Sequence, residues 1–364
     1  MSDERKMTNR IVGIDVARAL AVFGMILVNF KIVLGDNGQA WLQQAVGLLE
    51  GKAAATFVVL VGVGIALSTN RAIQDQDSAR LSNIRYGILK RAFFLFVIGL
   101  SYIPIWPADI LHFYGVYMIV AILFLRQSKQ VILFGAIAII LLFPFLMLFI
   151  DYESGWDFKA MTYSGFWTLK GFLHNLFING FHPVIPWVAF MLFGLWFGRQ
   201  DLRSQRFLKK TLFISSILVL LVHFFAKVCT IYITALGPEY AELTLFFETS
   251  PMPPLPLYLL VGTATAFAVI AGCILLGHHF GQSIVINLLK KTGQLALTFY
   301  VAHVIIGMGL LEMVSTIPLG EYTLSFTVIY SLFFSLACAL FAHVWLLRFE
   351  VGPLEWTMKK LSSI

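Results

Sequence analysis

In this chain of 364 residues, 59% are hydrophobic and only 12% are charged, whereas soluble globular domains carry roughly 25% charged residues. That balance excludes an ordinary water-soluble fold and points to the apolar core of a bilayer. The net charge of +7 does not indicate nucleic acid as a partner, because the basic residues sit in short loops between apolar runs, the pattern of a membrane protein.

A membrane span needs roughly 20 mostly apolar residues. Taken in chain order, such windows predict ten spans: 11–31, 52–69, 87–104, 109–125, 131–150, 183–198, 211–235, 255–277, 293–312 and 323–347. The fold class is therefore all-α, a polytopic integral membrane helix bundle, with residues 1–364 as a single membrane domain. The first run starts at Ile11, carries Asp15 and Arg18, and is followed by no small-x-small cleavage site, so it reads as a retained span rather than a signal peptide. Of the 26 Lys and Arg, 20 fall in alternate loops, and only Lys31, Lys52, Lys159 and Lys170 fall in the loops between. This asymmetry, to which Arg5, Lys6 and Arg10 contribute at the start of the chain, places the basic loops and both termini in the cytoplasm. The outer segments are then 151–182, aromatic and polar, and 237–256, acidic and proline-rich.

Polar residues inside spans need a partner or a function. Asp15 and Arg18 stand at i, i+3, on one helix face. Two readings follow: a structural ion pair, or an anion site in which Arg18, Lys90 and Arg91 meet phosphates. Asn29 lies eleven residues beyond Arg18, about three helical turns on, and suits an interhelical hydrogen bond as well as a catalytic donor. Gly62 and Gly64 suit close helix packing. Asp109 and His112 open the fourth span at i, i+3, where a carboxylate can orient an imidazole for general-base work; an interfacial pair facing water is the alternative. His182 precedes the sixth span, where Pro183 and Pro186 suit a helix start, and serves as a competing base or a loop anchor. His303, within the ninth span, reads as structural, as do His223 and His343, while His278 and His279 read as solvated. Cys229, Cys273 and Cys338 each sit in an apolar run and none forms a Cys-x-x-Cys, which argues for inert buried thiols over disulfides or zinc. Neither a P-loop nor a His-Glu-x-x-His motif occurs, and no metal is implied.

The opening RIVGIDVARALAVFGMILVNF resembles the first span of heparan-α-glucosaminide N-acetyltransferase-like membrane proteins. The strings LKRAFFLFVIGL, ADILHFYGVYMIVAILF, HPVIPWVAFMLFGLWFGR and RFEVGPLEW resemble the related bacterial YeiB-like family. The resemblance runs over nearly the whole chain. It implies a transmembrane acyltransferase that takes an acyl group, such as acetyl from acetyl-CoA, and passes it to an acceptor, a sugar, on the far side of the membrane. It also implies a first-span pattern in which an Arg is followed eleven residues later by His or Asn, here Arg18 and Asn29. The lysosomal enzyme carries a further His eleven residues beyond that Asn, and this sequence has Ala40 there. Either another histidine substitutes or the chain is a different kind of catalyst.

On this reading His112, oriented by Asp109, is the favoured base and His182 the competing one. Asn29 bonds the thioester oxygen, and Arg18, Lys90 and Arg91 hold the acyl-CoA. The expected partners are acyl-CoA, a small extracytoplasmic acceptor and membrane lipids, with a homo-oligomer left open. The expected location is a bacterial inner membrane. The rival readings are a transporter or lipid-linked glycan flippase, and a non-catalytic membrane partner of an envelope enzyme.

Overall fold

The structure, a computed structural model, describes residues 10–157 and 162–362. Arg5, Lys6 and Lys159, counted in the charge asymmetry, lie outside the described residues. Helices dominate, beginning with α1 (Val12–Leu34), α2 (Ala40–Gly47), α3 (Lys52–Gln74), α4 (Ser78–Tyr102), α5 (Leu111–Leu123) and α6 (Lys129–Leu146). A two-stranded antiparallel hairpin, β1 (Trp156–Asp157) and β2 (Thr162–Tyr163), precedes α7 (Leu169–His174) and a π-helical turn, Asn175–Asn179. Then follow α8 (Val184–Phe197), α9 (Gln205–Leu236), a 3₁₀ stretch Pro238–Phe247, α10 (Pro256–Phe280), α11 (Ile284–Gln294) and α12 (Ala296–Ala302). A second π-helical turn, His303–Met308, leads into α13 (Gly309–Val314), and α14 (Leu324–Trp345) and α15 (Pro353–Ser362) complete the series.

Seven helical stretches among the described residues are long and apolar enough to cross a membrane: α1, α2–α3, α6, α9, α10, α12–α13 and α14. The stretch from α7 to α8, bent by 48° at its break, makes an eighth if it is one span. Two of the ten expected windows differ. Window 87–104 falls on α4, which carries Arg80, Arg85, Lys90 and Arg91. Window 109–125 falls on α5, whose 13 residues extend about 20 Å, less than the roughly 30 Å of a hydrocarbon core. The most apolar windows of α6 and α9 are each only 17% buried. Phe134, Phe145, Leu220 and Phe224 stand exposed on them, as they would on helices that face lipid.

The chain forms two compact units. The first comprises the chain up to Phe57, Leu202–Ser215 and Ala266–Thr357; the second comprises Val58–Asp201, Ser216–Thr265 and the chain from Met358. In the first unit α1 is central and packs against α11, α12 and α14. Its N-terminal turns are approached closely: a Cβ on Gly13 would lie 2.3 Å from Ile274 Cα, and one on Gly293 would lie 1.8 Å from the Asp15 carbonyl oxygen. Beyond α1 the chain is tied to the start of α14. Tyr322 N–H donates to Leu34 O at 2.9 Å and Leu324 N–H to Asn37 O at 2.9 Å.

In the second unit α4 packs on α5, and α8 packs on both α5 and α6. Helices α3 and α8 cross with almost no separation, since a Cβ on Gly62 would meet Met191 O at 2.2 Å and one on Gly194 would meet Val59 O at 2.1 Å. The Gly62 expectation of close packing is thus realised. The aromatic segment that includes Tyr152, Trp156 and Tyr163 folds around Asn179, which is fully buried. Its Nδ2 donates to the carbonyls of Tyr152 and Ser154, each at 2.8 Å, and its Oδ1 accepts from Tyr163 Oη at 3.1 Å. The Asn179 carbonyl accepts from Trp156 Nε1 at 2.6 Å. The Arg199 guanidinium, just past α8, donates to the carbonyls of Leu125 and Gln127 beyond α5, satisfying groups that a helix end leaves unpaired.

Replacing Gly194 with leucine forces the α3–α8 crossing apart. We expect a loss of about 1–3 kcal/mol from overpacking, read as a lower melting temperature in detergent. An unchanged melting temperature rejects the crossing.

Candidate functional site

Asp15, 1% exposed, is held from two sides. Arg10 Nε reaches Asp15 Oδ2 at 2.6 Å and Arg18 Nη1 reaches Oδ1 at 2.8 Å. The i, i+3 pair therefore forms, and Arg18 is engaged by a carboxylate. In the second unit Lys90 Nζ lies 4.7 Å over the Tyr86 ring, and Arg91 Nε donates weakly to Ser362 Oγ at 3.4 Å.

The second unit holds the carboxylate–imidazole pair anticipated from spacing. Asp109 and His112 are 0% and 1% exposed. Asp109 Oδ2 accepts from the His112 backbone N–H at 3.1 Å and lies 3.0 Å from His112 Nδ1. A proton on Nδ1 then leaves the Nε2 lone pair as an acceptor. Nε2 is buried and has no hydrogen-bond partner among the described residues. Gly99 makes the pair possible, because a Cβ there would sit 2.3 Å from His112 N and 2.5 Å from Asp109 Oδ2. The pair is not an interfacial one facing water.

His182 sits at the break before α8, beside the same pair. Its ring packs on Trp187 at 4.6 Å and Phe113 at 6.1 Å, and Phe113 in turn contacts His112 at 3.9 Å. Its carbonyl accepts from Tyr117 Oη at 2.5 Å, and its Nδ1 is a buried atom with no hydrogen-bond partner among the described residues. This neighbourhood has what proton transfer requires: a buried, oriented imidazole and a ring nitrogen with no hydrogen-bond partner among the described residues.

The first unit holds a second imidazole that the sequence reading treated as structural. Asn29 Nδ2 lies 2.9 Å from His303 Nε2, across 274 residues of chain. Ala40, eleven residues beyond Asn29, is exposed at the start of α2. Glu355, from the string RFEVGPLEW, caps the helix that leads to His303. It accepts from Leu297 N at 2.8 Å, Thr298 N at 3.1 Å and Thr298 Oγ1 at 2.5 Å. No signal in spacing announced either contact, although PLEW marked Glu355 as part of a recognisable string.

His223 meets Thr249 Oγ1 at 3.3 Å, and His343, exposed, meets Lys291 at 3.3 Å. The cysteines are free; Cys273 and Cys338 are buried, whereas Cys229 is only half-buried. No group of three His, Cys, Asp or Glu among the described residues could hold a metal ion.

Burial raises the Glu355 carboxyl above its ordinary value of 4.5, opposed by its hydrogen bonds from Thr298 and Leu297. The folded chain then holds a proton there more tightly than the unfolded chain, so the stability contributed at this site falls as pH rises from 4.5 through the folded value. Glu355→Gln should remove that slope in melting curves taken across pH. Glu355→Ala should cost about 1 kcal/mol as a lost cap. A slope that persists in the Gln variant rejects the assignment.

Two family matches cover the described chain. Residues 10–234 match the family described as heparan-alpha-glucosaminide N-acetyltransferase, catalytic. Residues 196–364 match a family described as protein of unknown function (DUF418). Arg18, Asn29, Lys90, Arg91, Asp109, His112 and His182 lie in the first match, and His303 and Glu355 only in the second. No curated protein matches the chain.

Proposed function

The chain belongs to the family of the heparan-alpha-glucosaminide N-acetyltransferase catalytic domain, with a YeiB-like C-terminal part, and from that premise we propose that it is a membrane-embedded acyltransferase. The donor is acyl-CoA, with acetyl as the favoured group, and the acceptor is a sugar hydroxyl or amine on the extracytoplasmic side. The observation that carries this reading is the buried imidazole of His112, oriented by Asp109 and presenting an unpartnered Nε2.

The acceptor's N–H or O–H proton passes to His112 Nε2 as its heteroatom attacks the thioester carbon. The new C–N or C–O bond replaces the C–S bond, and the proton goes on to the departing thiolate, releasing CoA as its thiol. Asp109 stabilises the imidazolium between these steps. Such general-base help contributes roughly 10²–10⁴-fold in rate. His182, beside the pair, is the competing base. Lys90 and Arg91 on α4 are the proposed phosphate contacts, while Arg18 is held by Asp15. The charge asymmetry of the loops supports a cytoplasmic placement of the basic loops and of both termini, and the short loops favour a bacterial inner membrane.

The bend between α7 and α8 favours a second reading, because interrupted helices also serve transporters.

The test follows acetyl-CoA binding by calorimetry and CoA thiol release in nanodiscs, with methyl α-glucosaminide as probe acceptor. His112→Ala and Asp109→Asn should each lower turnover by about 100-fold while acetyl-CoA still binds. Full turnover in His112→Ala rejects His112 as the base. Solute flux without CoA binding supports the transporter.

A further inference from the structure

Three basic side chains from separate stretches of the first unit line one cavity of about 300 Å³, at the lower end of the roughly 300–1,000 Å³ of ligand pockets. Arg10 stands just ahead of α1, Arg203 just ahead of α9, and His278 in the last turn of α10. Gly13, Ile274 and Gly277 also line it, where α1 and α10 touch: a Cβ on Gly277 would lie 3.1 Å from Gly13 N. Among the described residues no carboxylate lines the cavity. Asp15, which engages Arg10 through Nε alone, is itself buried. The two Nη groups of Arg10 make no hydrogen bond among the described residues.

The chemistry of this lining suits a phosphate. A guanidinium presents a planar fork of N–H donors that matches phosphate oxygens, and an imidazole N–H adds a donor. The position of the cavity narrows the source. Helices α1, α9 and α10 are each long and apolar enough to cross a membrane, and the cavity lies at an end of all three, the depth at which lipid headgroups lie. Basic pockets between spanning helices are a recurring seat for anionic headgroups. Leu276 on α10 and Phe213 and Ile214 on α9 stand exposed, giving acyl chains an apolar surface on the same helices. A soluble phosphate has no use for such a flank.

We propose that this cavity seats the phosphate of an anionic phospholipid, with the acyl chains lying along α9 and α10. The Nη groups of Arg10 and the Arg203 guanidinium hold the phosphate oxygens, and His278 bonds a headgroup oxygen. Arg10, Arg18 and Asp15 together carry one net positive charge, which a phosphodiester anion offsets. The lipid thereby ties the start of α1 to the end of α10. The site lies within the first unit and does not involve the Asp109–His112 pair, so it stands whether or not the chain transfers an acyl group.

The experiment titrates the full chain, purified in neutral detergent, with dioleoyl phosphatidylglycerol or with zwitterionic dioleoyl phosphatidylcholine, and reads lipid retention by native mass spectrometry. Wild type should hold one phosphatidylglycerol about 10-fold more tightly than phosphatidylcholine. Arg203→Ala should weaken that binding about 5-fold and Arg203→Glu about 25-fold, as one or two units of charge are lost. His278→Ala should weaken it about 3-fold through a lost hydrogen bond. Arg80→Ala, an exposed cation on α4 in the second unit, should change it less than about twofold. If an Arg203 variant does not fold, Arg10→Gln and His278→Ala carry the comparison. Equal retention of the two lipids overturns the proposal, as does a preference for phosphatidylglycerol that survives unchanged in every cavity variant. A loss in Arg80→Ala as large as in Arg203→Ala shows diffuse attraction only and also overturns it. Displacement of phosphatidylglycerol by millimolar inorganic phosphate makes the ligand a soluble anion and overturns the lipid assignment.

Discussion

The interior of a bilayer offers no water, so each polar side chain carried into it must find its partner within the protein. Asp15 is held between two guanidinium groups, Asp109 is held by both the backbone and the ring of His112, and Asn29 meets His303. Each arrangement removes a large desolvation cost, and each also fixes the orientation of a chemically capable group. The requirement that keeps these residues tolerable inside apolar helices is the one that readies them for chemistry.

Such pairing requires backbones to come close, and the glycines set where this happens. Gly99 lets α4 rest against the backbone of His112, so the Asp109–His112 pair is enclosed by a helix instead of by water. Gly293 does the same at the carbonyl of Asp15. Without a hydrophobic drive between helices in lipid, close van der Waals contact at small residues supplies much of the association energy. The glycines are thus packing devices first, and the enclosure of the histidines follows from the packing.

Regular helix is interrupted at the chemically interesting places. One π-helical turn, Asn175–Asn179, ends in the buried Asn179 that ties down Tyr152 and Ser154 just before His182. Another begins at His303. A π turn shifts side-chain register and aims a residue where a straight helix would not. Glu355 stabilises the short helix leading to the second turn through three hydrogen bonds at its N-terminus, where a carboxylate complements the helix dipole. A residue near the chain's end thereby supports a histidine placed half a hundred residues earlier.

The membrane class, most helices and the two i, i+3 pairs were legible in the sequence, because hydropathy and helical periodicity are local properties. Asp15–Arg18 and Asp109–His112 were readable because both contacts are local: one turn of helix joins the first pair, and the turn that opens α5 joins the second, with Asp109 just ahead of the helix. Periodicity did not reveal that α5 is only 13 residues long, since its apolar window runs on into the turns at either end. Nor did it connect Asn29 with His303, Tyr117 with the carbonyl of His182, or Glu355 with Thr298. These contacts join residues 274, 65 and 57 positions apart, and sequence spacing carries no information about them. Only the packing of helices against one another decided which imidazole faces the Asn29 amide and which stands beside Asp109, because tertiary contact depends on which faces meet and not on which residues are near in the chain.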